Sequence, residues 1–154
     1  GISQVLMQQV SEKAQKKMPI HEELYSLAIR LCGLSAIGTI VLVLAGGELF
    51  QFAFGEKWRL SGEYTSVLIF SYAISFVVSP FSILLVVLGK LRIASAWQTF
   101  YFISILFLWF LKDLPMNRFL ISLVVIDVIS YLIYGLLIYN AIKEYESGLK
   151  PMTS

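Results

Sequence analysis

Four stretches of this chain run for most of a helix-span with almost no charge in them: residues 31–47, 64–89, 93–111 and 119–142. About 20 apolar residues cross a bilayer. The first stretch reaches that length by extending back to residue 25, with Arg30 laying its stem along lipid and lifting its charge to the headgroups. Only helices and closed barrels satisfy their backbone in lipid, and these runs are continuous rather than alternating. The pattern predicts an all-α integral membrane protein with four transmembrane helices over about 25–47, 64–89, 93–111 and 119–142. The links at 90–92 and 112–118 are short, so the helices they join are expected as antiparallel neighbours. Residues 48–63, ELFQFAFGEKWRLSGE, read as a longer connection lying in the interface, with Gly55 and Gly62 marking turns.

Residues 1–24 are different. Ile2, Val5, Leu6 and Val10 have roughly helical spacing, followed by SEKAQKK and a break at Pro19. This is either an amphipathic anchor or the cytoplasmic end of a preceding span. The chain opens on Gly1 without a signal-peptide pattern, which favours the second reading and a piece of a longer protein. Residues 143–154 read as a cytoplasmic tail.

Composition sharpens the class. Apolar residues make up 58% of the 154 and charged residues 14%, against roughly a quarter charged in a soluble domain. The cations also set an orientation. Lys13, Lys16, Lys17, Arg30, Lys90, Arg92, Lys143 and Lys150 fall on one side, and Lys57, Arg59, Lys112 and Arg118 on the other. The positive-inside rule then places both termini in the cytoplasm. No basic patch or nucleic-acid motif is present, so no nucleic acid is expected as a partner. The lone Cys32 reads as a small packing residue, with no internal disulfide open to it.

Polar residues inside apolar spans carry the candidate chemistry. Ser71, Ser75, Ser79 and Ser82 recur at i, i+4, i+8 and i+11, which stacks them on one face. That face is either a helix–helix seam or the wall of a water-filled cavity. Pro80 lacks the backbone donor and is expected to kink the helix, a candidate hinge. Asp127 lies nine residues into its span, where an aspartate costs roughly 3 kcal/mol. With Ser130, Tyr131 and Tyr134 it forms a polar face. The carboxylate is either a site for a proton, a sodium ion or a polar substrate group, or a group held by tyrosine and serine or hydrated from outside. Gln98, flanked by Ser95 and Tyr101, is a weaker polar patch. Gly33, Ser35, Gly38 and Thr39 make the first span small-faced for packing, and Trp97 and Trp109 read as interface anchors. His21 beside Glu22 and Glu23 is too sparse for a metal site. Without a phosphate-binding loop or nucleophile motif, neither an enzyme nor a cofactor is expected.

The order of features carries a resemblance. Phe54-Gly55-Glu56-Lys57-Trp58, then Ser79-Pro80, then Leu88-Gly89-Lys90 resemble the C-terminal part of the polysaccharide (O-antigen and capsular) flippases. These belong to the multidrug/oligosaccharidyl-lipid/polysaccharide exporter superfamily, and the likeness covers residues 2–142. It implies two pseudo-symmetric lobes, of about twelve to fourteen helices together, rocking around a cavity. They would pass lipid-linked oligosaccharide of the undecaprenyl-diphosphate type across a bacterial inner membrane for polysaccharide or lipopolysaccharide biosynthesis. The partners implied are the bilayer, that lipid and the missing N-terminal helices of the same protein. On this reading the path residues are Asp127, Ser71, Ser75, Ser79, Tyr131, Tyr134 and Gln98. The alternative is a small four-helix membrane subunit or scaffold without a transport path.

Overall fold

In hydrocarbon every backbone polar group needs a partner within the chain, and long runs of Leu, Ile, Val and Phe meet that need as helices. The computed structural model describes residues 2–149. Gly1 and residues 150–154, Lys150 of the charge count among them, lie outside the described residues. The described chain is helical, with no strand: α1 (Ile2–Gln15), α2 (His21–Phe54), α3 (Arg59–Val78), α4 (Ile83–Val87), α5 (Leu91–Phe107) and α6 (Met116–Ser147), with short 3-10 turns at Glu56–Trp58, Ser79–Ser82 and Leu108–Leu111. Four stretches are long and apolar enough to cross a membrane: His21–Phe54, Glu56–Val87, Leu91–Phe110 and Met116–Ser147. At 34 residues α2 is about 50 Å long, against roughly 30 Å of hydrocarbon, so its ends pass beyond the apolar core or the helix tilts. α6 likewise continues through the first part of the expected tail, to Ser147.

The expected connection over 48–63 is instead mostly helix. α2 runs on to Phe54, the chain reverses at Gly55 (φ 98°), and α3 begins at Arg59 with Gly62 inside it. The reason is close packing between the two helices. A methyl group on Gly62 would overlap the Gly46 carbonyl, and one on Gly46 would sit 2.5 Å from the Ser66 hydroxyl. Ser66 donates across the crossing to the Leu42 carbonyl at 2.7 Å. Small residues let helices in lipid approach this closely. The small face expected at Gly33 and Gly38 has no such role, because a methyl at either would meet nothing within 4 Å.

α3 also packs on α6, and α5 on α6. At Pro80 regular α-helix gives way to the 3-10 turn before α4, as expected where a proline removes a donor. α4 ends in a Schellman motif. Gly89 takes φ +70°, its N–H reaches Val86 O, and Lys90 N–H reaches Leu85 O at 2.7 Å. That left-handed position favours glycine. A buried apolar cluster centred on Leu84 and Leu85 gathers Val10 of α1, Leu24, Phe81 and Ile138. α1 is thus docked on the bundle through Val10, while Val5 is exposed.

The last turns of α6 tie this end together. Glu146 accepts hydrogen bonds from the N–H groups of Ile20 (3.1 Å) and His21 (2.9 Å) and lies 2.9 Å from His21 Nδ1. It therefore caps the N-terminus of α2 from a distant part of the chain, which no local cap does. Tyr145 donates to Met18 O, and Glu144 pairs with Lys90 in the α4–α5 turn.

The glycine crossing yields a direct test. Gly62→Val destabilises the protein by about 1–3 kcal/mol, since backbone on both sides resists the added volume, whereas Gly33→Ala is tolerated. Thermal unfolding in detergent measures both; equal effects would refute the crossing.

Candidate functional site

The site is built where α3, α5 and α6 meet. On a helix of 3.6 residues per turn the serines at 71, 75, 79 and 82 fall within an arc of about 80°, yet they meet different partners. Ser71 is buried and its hydroxyl donates to Oδ2 of Asp127. Ser75 bonds within its own helix, to Tyr72 O, and Ser82 donates to Ser79 O. Ser79 is exposed.

Asp127 is only 8% exposed although it lies amid apolar sequence. Its other oxygen, Oδ1, accepts from the Tyr101 hydroxyl at 2.9 Å. The carboxylate therefore has a donor on each oxygen, one from α3 and one from α5. On α6 Asp127, Ser130 and Tyr134 are buried and Tyr131 is half-buried, and the carboxylate's partners come from other helices. No buried side-chain nitrogen or oxygen among the described residues lacks a hydrogen-bond partner.

An aromatic stack supports this arrangement. The Trp97 ring lies nearly parallel to Tyr134 (centroids 3.9 Å apart) and to Tyr101 (5.3 Å), and Tyr131 leans on Trp97 and Tyr101. The Trp97 indole N–H donates to Ser130 O at 2.9 Å. Trp97 is therefore a buried pillar of the α5–α6 contact and not the interface anchor expected. The i, i+4 pair Trp97 and Tyr101, which share a helix face, is the sequence signal for that role. Trp109 is exposed with the Lys112 ammonium 5.3 Å from its ring centroid, a disposition suited to a headgroup region. Gln98, one residue beyond Trp97, is exposed and stands outside the cluster.

Beside this cluster, between α2 and α3, opens a cleft of about 720 Å³. Ser35, Tyr72, Ser75, Ser79, Pro80 and Tyr131 belong to its lining, among apolar residues such as Leu31, Leu34, Ile69 and Phe76. Ser35 itself donates to Ala73 O at 3.1 Å. Tyr131 is shared: one side belongs to the cleft and the other to the aromatic stack around Asp127. Six expected residues are thus brought into one region: Ser71, Asp127 and Tyr134 in the buried cluster, Ser75 and Ser79 in the cleft, and Tyr131 between them. Among the described residues no group of three His, Cys, Asp or Glu is placed to hold a metal.

Comparison with known protein families, with characterised proteins and with solved structures finds no match to the chain.

The pairing of Tyr101 with Asp127 is open to a double-mutant cycle. Tyr101→Phe costs about 1–3 kcal/mol when Asp127 is present, because a buried acceptor loses its donor. In an Asp127→Leu background the same change costs less than about 0.5 kcal/mol. Chemical or thermal unfolding of the four proteins in detergent gives both values; equal costs would show that the two side chains are not coupled.

Proposed function

We propose that this four-span bundle forms part of a membrane transporter that moves a polar, lipid-linked substrate. The specific reading is the C-terminal portion of a flippase passing lipid-linked oligosaccharide across a bacterial inner membrane for polysaccharide or lipopolysaccharide synthesis, with both termini in the cytoplasm. The observation that carries it is the hydroxyl-bearing cleft beside Pro80, next to a buried carboxylate and within helices otherwise clad in apolar side chains. A sugar headgroup crossing hydrocarbon needs a shielded polar path, since each unsatisfied polar group costs several kcal/mol there. Ser75, Ser79, Tyr72 and Tyr131 supply one side of such a path, and the proline break between α3 and α4 supplies a hinge for alternating access. Within this scheme Asp127 is the coupling group, binding a proton or a sodium ion in one state of the cycle. The resemblance in 54–58, 79–80 and 88–90 selects polysaccharide over other amphiphiles, and the lysine and arginine distribution selects the orientation.

Flipping of a labelled polyprenyl-diphosphate oligosaccharide by the protein as its gene encodes it, reconstituted in vesicles, tests the proposal. Filling the cleft with Ser75→Leu and Ser79→Leu is expected to slow flipping at least tenfold (about 1.4 kcal/mol) while thermal stability is retained. Asp127→Asn is expected to change the dependence on pH or sodium. Undiminished flipping with unchanged ion dependence would remove both assignments, and a wild-type protein that flips nothing would favour the subunit or scaffold reading.

A further inference from the structure

A second cleft, of about 560 Å³, lies on another face of the bundle between α2, the end of α3 and α6. Its depth is apolar, walled by Ala28, Val78, Phe81, Gly135 and Ile138. Its rim at the α1 end is polar, formed by His21, Lys143 and Glu146. An apolar cavity of a few hundred Å³ with a few polar groups at one end suits an amphiphile.

The rim charges sort themselves. Glu146 is engaged inward by the Ile20 and His21 N–H groups and the His21 ring. Lys143 is exposed, and among the described residues no carboxylate pairs with it. The His21 side chain, with Nδ1 on Glu146, is 59% exposed. The groups left for a ligand are thus a free ammonium and an imidazole, which complement an anion. The length of the cleft identifies the tail. From Lys143 to Gly135 is eight residues of α6, about 12 Å at 1.5 Å per residue, which lies within half of the roughly 30 Å hydrocarbon core. An acyl chain confined to one leaflet fills that depth, whereas a long polyprenyl chain exceeds it.

We propose that this cleft is a resident-lipid site, holding one acyl chain of an anionic membrane phospholipid with its phosphate at Lys143 and His21. Basic groups between transmembrane helices at a membrane face are a known device for anionic headgroups. Gly135 keeps the cleft open, since a methyl there would meet only Val78, at 3.7 Å; a larger side chain has room to enter the cleft without displacing a helix. The site is independent of the transport proposal, because it uses another face and its readout is not flipping.

The test is the thermal stability of the purified protein, as its gene encodes it, in detergent. Phosphatidylglycerol and phosphatidylcholine with identical acyl chains are added in turn. Phosphatidylglycerol is expected to raise Tm more than phosphatidylcholine. Lys143→Gln is expected to abolish that difference, and Gly135→Leu to reduce stabilisation by both lipids while leaving the lipid-free Tm unchanged. Equal stabilisation of the wild type by the two lipids would overturn the headgroup assignment. A preference for phosphatidylglycerol that survives both substitutions would place the lipid elsewhere. Should Gly135→Leu lower the lipid-free Tm, Gly135→Ala and Lys143→Gln, which add little volume, decide the matter on the same readout.

Discussion

A carboxylate in the middle of an apolar span has to be met by donors, and in this bundle that requirement fixes the helices around it. Asp127 takes one hydroxyl from α3 and one from α5, so the rotation of three helices about their axes is set at a single point. The magnitudes agree with this. An aspartate within a span costs roughly 3 kcal/mol, and leaving a buried acceptor unpaired costs about 1–3 kcal/mol, so each hydroxyl donor counts. Hydrogen bonds between neutral groups in membranes contribute only about 0.6 kcal/mol, so contacts such as Ser35 to Ala73 O adjust the packing and do not direct it.

The rest of the bundle is arranged around that point. On the far side of α3, the Gly46–Gly62 crossing brings α2 close enough to form one wall of the cleft. Trp97 stacks on Tyr134 and Tyr101, holding the tyrosine donor towards the carboxylate. At the α1 end, Glu144, Tyr145 and Glu146 reach the α4–α5 turn, Met18 and the start of α2. The 3-10 stretch at Pro80 lies between these tied regions.

Much of this was legible in the sequence, because the physics involved is local. Four spans followed from uncharged length, the loss of regular helix at Pro80 from a missing donor, and the link after residue 89 from the charges of Lys90 and Arg92. Asp127 stood out because charge in a span is costly. What the sequence did not reveal were pairings between distant segments. Nothing in the neighbourhood of Glu146 indicates that its carboxylate caps a helix 125 residues away. Gly62 read as a turn because glycine favours turns, yet Gly62 and Ser66 also carry the small-xxx-small spacing of a close crossing. Trp97 read as an anchor because tryptophan favours interfaces, and its burial became visible only once Tyr134 was placed against it.

A polar path along Ser75, Ser79 and Tyr131 requires that the cleft beside Pro80 holds water and not lipid. Reaction of single cysteines with a membrane-impermeant thiol reagent, in a Cys32→Ser background, tests it most directly. Ser79→Cys, in the cleft, is predicted to react many times faster than Phe102→Cys, which lies on the exposed apolar face of α5. Equal, slow labelling at the two positions would mean that the cleft is filled by lipid or protein, and the account of a polar path would fail.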